Sequence, residues 1–171
     1  MARPTQDSVR NLTLPRGTRI ACVSSRYHAE VVDRMRASAR RVLEEAGLDP
    51  ASWWDVEAPG AFELPLLAQR LARRSDVDGV LTFGLVLKGE TDHDRYISAA
   101  VSDALMRIGL ETDKPVMFGL LTCPTLDHAL RRARTEAEDG LDKGREVATA
   151  LLETLVGLEE IASQDGGEAT A

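Results

Sequence analysis

The chain has 171 residues, 43% apolar and 29% charged, with a net charge of −7. These values describe one ordinary globular domain with enough apolar material for a core, not a disordered chain. They exclude sequence-wide attraction to nucleic acid or anionic membrane, and no apolar run approaches the roughly 18 residues that a membrane helix needs.

In chain order, residues 1–16 read as a mobile tail without a stretch of signal-peptide length, so a cytoplasmic location is the default. Four apolar runs then read as strands: RIACVSS (19–25), WWDVEAP (53–59), GVLTFGLVL (79–87) and PVMFGLLTC (115–123). Most are continuously apolar rather than alternating, as expected when both faces of a parallel sheet are covered. Between them the spacing is helical. Val32, Met35, Ala39, Val42, Leu43 and Ala46 share one face, Leu64, Leu67, Ala68 and Leu71 a second, and Ile97, Val101, Ala104, Leu105 and Ile108 a third. Leu126, Ala129, Leu130 and Ala133 predict a short helix, broken by Asp139-Gly140. Val147, Ala148, Leu151, Leu152, Leu155 and Val156 predict a last one before a second tail at 162–171. The folded domain then spans 17–161. Strand–helix alternation at this spacing means right-handed βαβ units and a parallel sheet flanked by helices.

In such a sheet, ligands bind beyond the carboxyl ends of the strands. Four junctions therefore carry the chemistry: SSRYHAE, APGAFE, KGETDHD and TCPT. None contains a dinucleotide glycine motif or a phosphate-loop lysine, which counts against a generic nucleotide-binding module. His28, His93 and His128 are far apart, with no ligand spacing to Cys22 or Cys123, so no metal is expected. The two cysteines read as small buried hydrophobes.

The segment GETDHD (89–94) opens a helix, with Thr91 as its expected N-cap and Asp94 in capping-box position. Read as structure, it is a capped helix start carrying a surface histidine. Read as function, its free amides and the Thr91 hydroxyl would bind phosphate, with His93 as general acid and base. Glu90, Asp92 and Asp94 oppose an anion unless they point away and Lys88, Arg95, Arg132 or Lys143 compensates. Elsewhere, Gly60 would let backbone amides approach a flat ligand, Phe62 would cover it, and Tyr27 offers a stacking surface.

Together SRYHAEVV, PGAFELP, GLVLKGETDHDRY, PVMFGLLTCPT and DKG resemble lumazine synthase, over residues 17 to 157. The resemblance implies a three-layer α/β/α sandwich with a flavodoxin-like four-stranded parallel sheet. It implies condensation of 5-amino-6-(D-ribitylamino)uracil with 3,4-dihydroxy-2-butanone 4-phosphate, a late step of riboflavin biosynthesis, without cofactor or metal. By resemblance, Tyr27 stacks on the pyrimidine. Ala61, Phe62, Glu63, Val86, Leu87 and Phe118 hold the ring and ribityl chain, Glu90, Thr91, Arg132 and Lys143 bind phosphate, and His93 moves protons.

The implied partners are small-molecule substrates and further copies of the chain, with active sites between subunits and neither nucleic acid nor membrane. Phe118, Arg132 and Lys143 would come from one copy, and Tyr27, Phe62 and His93 from the next. Members form pentamers or icosahedral shells of them, and the longer stretch between Ala133 and Lys143 favours the free pentamer. The chain departs from the family pattern at Arg134 (usually glycine), His28 (often asparagine) and Asp94 (usually aromatic). A catalytically weak flavin- or lumazine-binding assembly protein of the same fold is the alternative.

Overall fold

The structure, a computed structural model, describes residues 12–165. Strands β1 (Ile20–Ser25), β2 (Trp53–Ala58), β3 (Gly79–Leu87) and β4 (Val116–Cys123) form one parallel sheet in the order β2-β1-β3-β4. Each strand lies where its apolar run predicted, within a residue at either end. Central β1 is buried throughout and β3 almost so, whereas edge strands β2 and β4 each expose several residues.

Helices α1 (Ala29–Glu45), α2 (Leu64–Ala72), α3 (His93–Thr112), α4 (Leu126–Ala133) and α5 (Lys143–Asp165) connect and cover the strands. The side chains sort the helices into two layers. Val32, Met35, Ala39 and Leu43 of α1 pack with Ala129 and Ala133 of α4 and Leu151 and Leu152 of α5 against Cys22, Leu81 and Leu121. On the opposite face, Leu64 and Ala68 of α2 and Val101 and Leu105 of α3 pack against Ala21, Val23 and Leu120. The fold is therefore the expected three-layer α/β/α sandwich. At about 25 cal/mol per Å² of apolar surface, these two clusters supply the main driving force for folding.

Part of the expected tails falls within the described residues. Leu14 is buried and donates its amide to the Ala46 carbonyl at 2.9 Å, and α5 continues past residue 161 to Asp165. The remainder, 1–11 and 166–171, lies outside the described residues.

Two helix boundaries differ from expectation. The N-cap of α3 is Asp92 rather than Thr91, and it makes no side-chain cap bond. The apolar stripe sets the phase: Asp94 stands three residues before Ile97, on the same face as Val101 and Leu105, so it turns inward and is unavailable for a capping box. Helix α4 ends at Ala133, well before Asp139-Gly140. Its end is fixed by a chain reversal in which the Leu141 amide donates to the Arg131 carbonyl at 3.0 Å.

Candidate functional site

Strand register builds a cleft at the carboxyl end of the sheet. β1 and β2 end level, with Ser25 opposite Ala58, and the Arg26 amide extends the ladder to the Ala58 carbonyl at 3.0 Å. Tyr27 and Gly60, each two residues past its strand end, are thereby brought together. A Cβ placed on Gly60 would lie in ordinary contact with the Tyr27 ring, at 3.5 Å, and 3.1 Å from a Glu63 carboxylate oxygen, so only the Glu63 side chain would have to give. The Gly60 backbone is extended and open to any residue.

The third wall comes from β3. Its pairing with β1 stops at Phe83, yet the strand runs on through Leu87, paired on its other side to β4 as far as Cys123. Its Leu85–Leu87 stretch runs beyond β1 and faces the cleft. Tyr27, His28, Gly60, Ala61, Phe62, Glu63, Leu85, Val86, Leu87 and Ile97 line the resulting cleft of about 310 Å³. This volume sits at the lower end of small-molecule sites, and the lining is apolar apart from three polar side chains and the backbone. Tyr27 and Phe62 are more than 60% exposed, which for large aromatic side chains marks surface available for contact.

Of the residues expected to hold the ring, Tyr27, Ala61, Phe62, Glu63, Val86 and Leu87 line this cleft, and Phe118 does not. Phe118 sits on edge strand β4, 42% exposed. The residues expected to hold phosphate are also elsewhere. Glu90 and Thr91 are exposed between β3 and α3, Arg132 is exposed in the last turn of α4, and Lys143 opens α5. Lys143 is committed within the chain, its ammonium 2.6 Å from Glu146 Oε1. Arg132 makes no ion pair among the described residues, and its positive charge partly offsets the effect of burial, which raises the Cys123 thiol above its ordinary range. His93 is exposed one helical turn before Ile97, so the helix that carries it also lines the cleft.

Three lining residues were not assigned a site role from the sequence. His28 takes a left-handed backbone, φ 60°, uncommon outside glycine, and its carbonyl accepts from the Val31 amide at 2.9 Å to start α1. Leu85 and Ile97 read only as positions within an apolar strand and on an apolar helix face. Among the described residues, three buried side-chain polar atoms lack a partner: Ser25 Oγ, Trp53 Nε1 and Asp94 Oδ1. Ser25 and Asp94 belong to segments that carry the cleft, and unpaired buried groups of this kind call for a functional explanation. No group of three or more His, Cys, Asp or Glu able to hold a metal is found among the described residues.

The family model described as 6,7-dimethyl-8-ribityllumazine synthase matches residues 17–159. The chain belongs to that family. Relatives of that name include one from Rhodopirellula baltica, 42% identical over 83% of this chain and 89% of the relative. Another, from Desulfovibrio desulfuricans, is 39% identical over 85% and 92%. A third, 6,7-dimethyl-8-ribityllumazine synthase 1 of Caulobacter vibrioides, is 44% identical over 88% and 96%. The lumazine synthase match covers all four strands and all four junctions, as the resemblance in sequence required.

Proposed function

We propose that the protein condenses 5-amino-6-(D-ribitylamino)uracil with 3,4-dihydroxy-2-butanone 4-phosphate to give 6,7-dimethyl-8-ribityllumazine and inorganic phosphate. The observation that carries this reading is the cleft itself, an aromatic ring laid on a glycine beside the strand edge that runs beyond β1. A planar pyrimidine would sit between Tyr27 and the Leu85–Leu87 edge, where offset stacking and backbone hydrogen bonds act together. Ala61, Phe62 and Glu63 close the ribityl side.

The pyrimidine's 5-amino group attacks the butanone carbonyl, and loss of water gives an imine. Abstraction of a proton from the adjacent carbon then expels phosphate, and the ribityl-bearing nitrogen closes the second ring with loss of a further water. Each step moves a proton between nitrogen, carbon and oxygen, which is the work of a general acid and base. His93 has that role, with Thr91 and the amides at the α3 start receiving phosphate. Glu90 contributes main chain only, its carboxylate directed away from the anion.

Phe118, Arg132 and Lys143 complete the site of a neighbouring copy. Exposed apolar surface at Leu66, Tyr96, Met106, Leu110 and Phe118 supports association with further copies. We assign the assembly as a homopentamer, on the length of the segment between α4 and α5. A cytoplasmic setting follows from the substrate, since a phosphate ester does not cross membranes unaided.

Purified protein given both substrates should develop the lumazine chromophore, with phosphate released in step. Binding of lumazine-like rings with no condensation above background would remove the enzyme and leave a binding protein.

A further inference from the structure

Between α4 and α5 the chain closes on itself. The Glu138 carboxylate accepts from the Thr135 amide and hydroxyl, both at 3.0 Å, and the Glu138 amide returns a bond to the Thr135 carbonyl. Gly140 donates to the same Thr135 carbonyl at 2.9 Å, Leu141 to the Arg131 carbonyl at 3.0 Å, and Asp142 to the Arg134 carbonyl at 2.9 Å. The carbonyls that end α4 are thus satisfied by residues that lead into α5.

Three further contacts fix this clasp to α1. Arg34 donates to Glu138 Oε1 at 3.0 Å. Asp142 is buried, caps α5 by accepting from the Arg145 amide at 3.1 Å, and faces Arg41 at 4.0 Å. Gly144 lies so close to the Met35 backbone that a Cβ would overlap it, and a Cβ on Gly140 would overlap the Arg134 backbone. Arg132 stands at one end of the clasp and Lys143 at the other. Each was assigned to phosphate by resemblance, and the bonds at Arg131, Arg134 and Asp142 fix the backbone beside both.

We propose that Glu138 and Gly140 are positioning residues that fix the backbone segments carrying Arg132 and Lys143 relative to one another, so that the two form a cradle for phosphate once the anion draws Lys143 from Glu146. This rests on the reading above only in taking that phosphate to be the one carried by the butanone substrate. The Arg34–Glu138 pair is nearly half exposed on both sides, and exposed pairs contribute little to stability. Its value lies in geometry: a cation moved by about 1 Å loses much of its hold on a transferring group.

The test uses full-length Glu138→Gln and Gly140→Val, with each substrate varied at saturation of the other and inorganic phosphate titrated calorimetrically. Both variants should raise the butanone phosphate KM, by about 3- to 10-fold for Glu138→Gln and more for Gly140→Val, with kcat and the pyrimidine KM within about 2-fold of wild type. The Kd for inorganic phosphate should rise in parallel. Should Gly140→Val fail to fold, Glu138→Gln decides alone. An unchanged phosphate Kd in Glu138→Gln, or an equal rise in both KM values, overturns the proposal. A wild-type protein that binds phosphate more tightly than Glu138→Gln but condenses nothing would uphold the cradle and remove the synthase reading.

Discussion

The cleft at the ends of β1, β2 and β3 and the cations at the end of α4 and the start of α5 are built on opposite terms. The cleft as described is lined by residues of one chain. Ladder register sets Tyr27 against Gly60, and the free run of β3 supplies its wall. The cations belong to a clasp fixed to α1, outside that cleft, with Arg132 exposed. On the proposed reading, one region takes a flat, largely uncharged ring by shape, and the other an anion by charge. The difference teaches that one fold can hold two such regions apart, and the proposed assembly is what brings them together.

Breaking each half separately should therefore give different kinetic signatures. The largest effect is expected at the proton carrier: His93→Ala should lower kcat by about 10- to 1000-fold, with both KM values nearly unchanged in steady-state assays. Next, Arg132→Ala should raise the butanone phosphate KM by about 10- to 100-fold, the worth of a charge-assisted bidentate contact, and leave the pyrimidine KM alone. Tyr27→Ala should do the reverse, raising only the pyrimidine KM, by about 3- to 10-fold for loss of a stacking partner. Equal shifts in both KM values from either variant would erase the division.

The cleft was legible because it follows from rules of position. Continuous apolar runs marked a covered parallel sheet, and a parallel sheet places its ligand beyond the strand ends. Tyr27, Phe62 and the β3 terminus could be named on that ground alone. What the sequence hid was phase and closure. GETDHD carries a capping-box pattern, and nothing local reveals that the Ile97–Val101–Leu105 stripe rotates Asp94 inward. Likewise Asp139-Gly140 looks like a helix breaker, whereas Gly140 is required by the approach of the Arg134 backbone, a contact between residues that only a folded loop brings together.

Asp94 offers a smaller and sharper test on the cleft side. Its carboxylate is buried with one oxygen unpartnered. Burying such a group costs about 1–3 kcal/mol, against only a few tenths gained from an acidic residue in the first helical turn. Asp94→Leu should therefore raise the melting temperature by about 2–4 °C for each kcal/mol recovered in a domain of this size. A fall instead would mean that the carboxylate is paired in the assembly.

The smallest effect concerns the clasp. The Thr135 amide, then its hydroxyl and the Arg34 guanidinium, hold the Glu138 carboxyl below its ordinary value of 4.5. The ionised form is thus favoured by folding, and its contribution is full above 4.5 and lost as pH falls below it. Denaturant midpoints of wild type and Glu138→Gln should converge as the pH is lowered from about 5 to about 3. A gap that persists at the acid end would mean that glutamate acts there by packing rather than by charge.

The division of the active site between copies is tested most directly by complementation. His93→Ala damages the cleft half and Arg132→Ala the cation half, so with butanone phosphate held well below the wild-type KM each homogeneous assembly should be nearly inactive. Unfolded together in equal amounts and refolded, they should form mixed assemblies in which about one interface in four joins two intact halves, and activity should recover towards that fraction of wild type. Mixed assemblies, verified by native mass, that stay as inactive as their parents would contradict a shared site and place the whole reaction within a single chain.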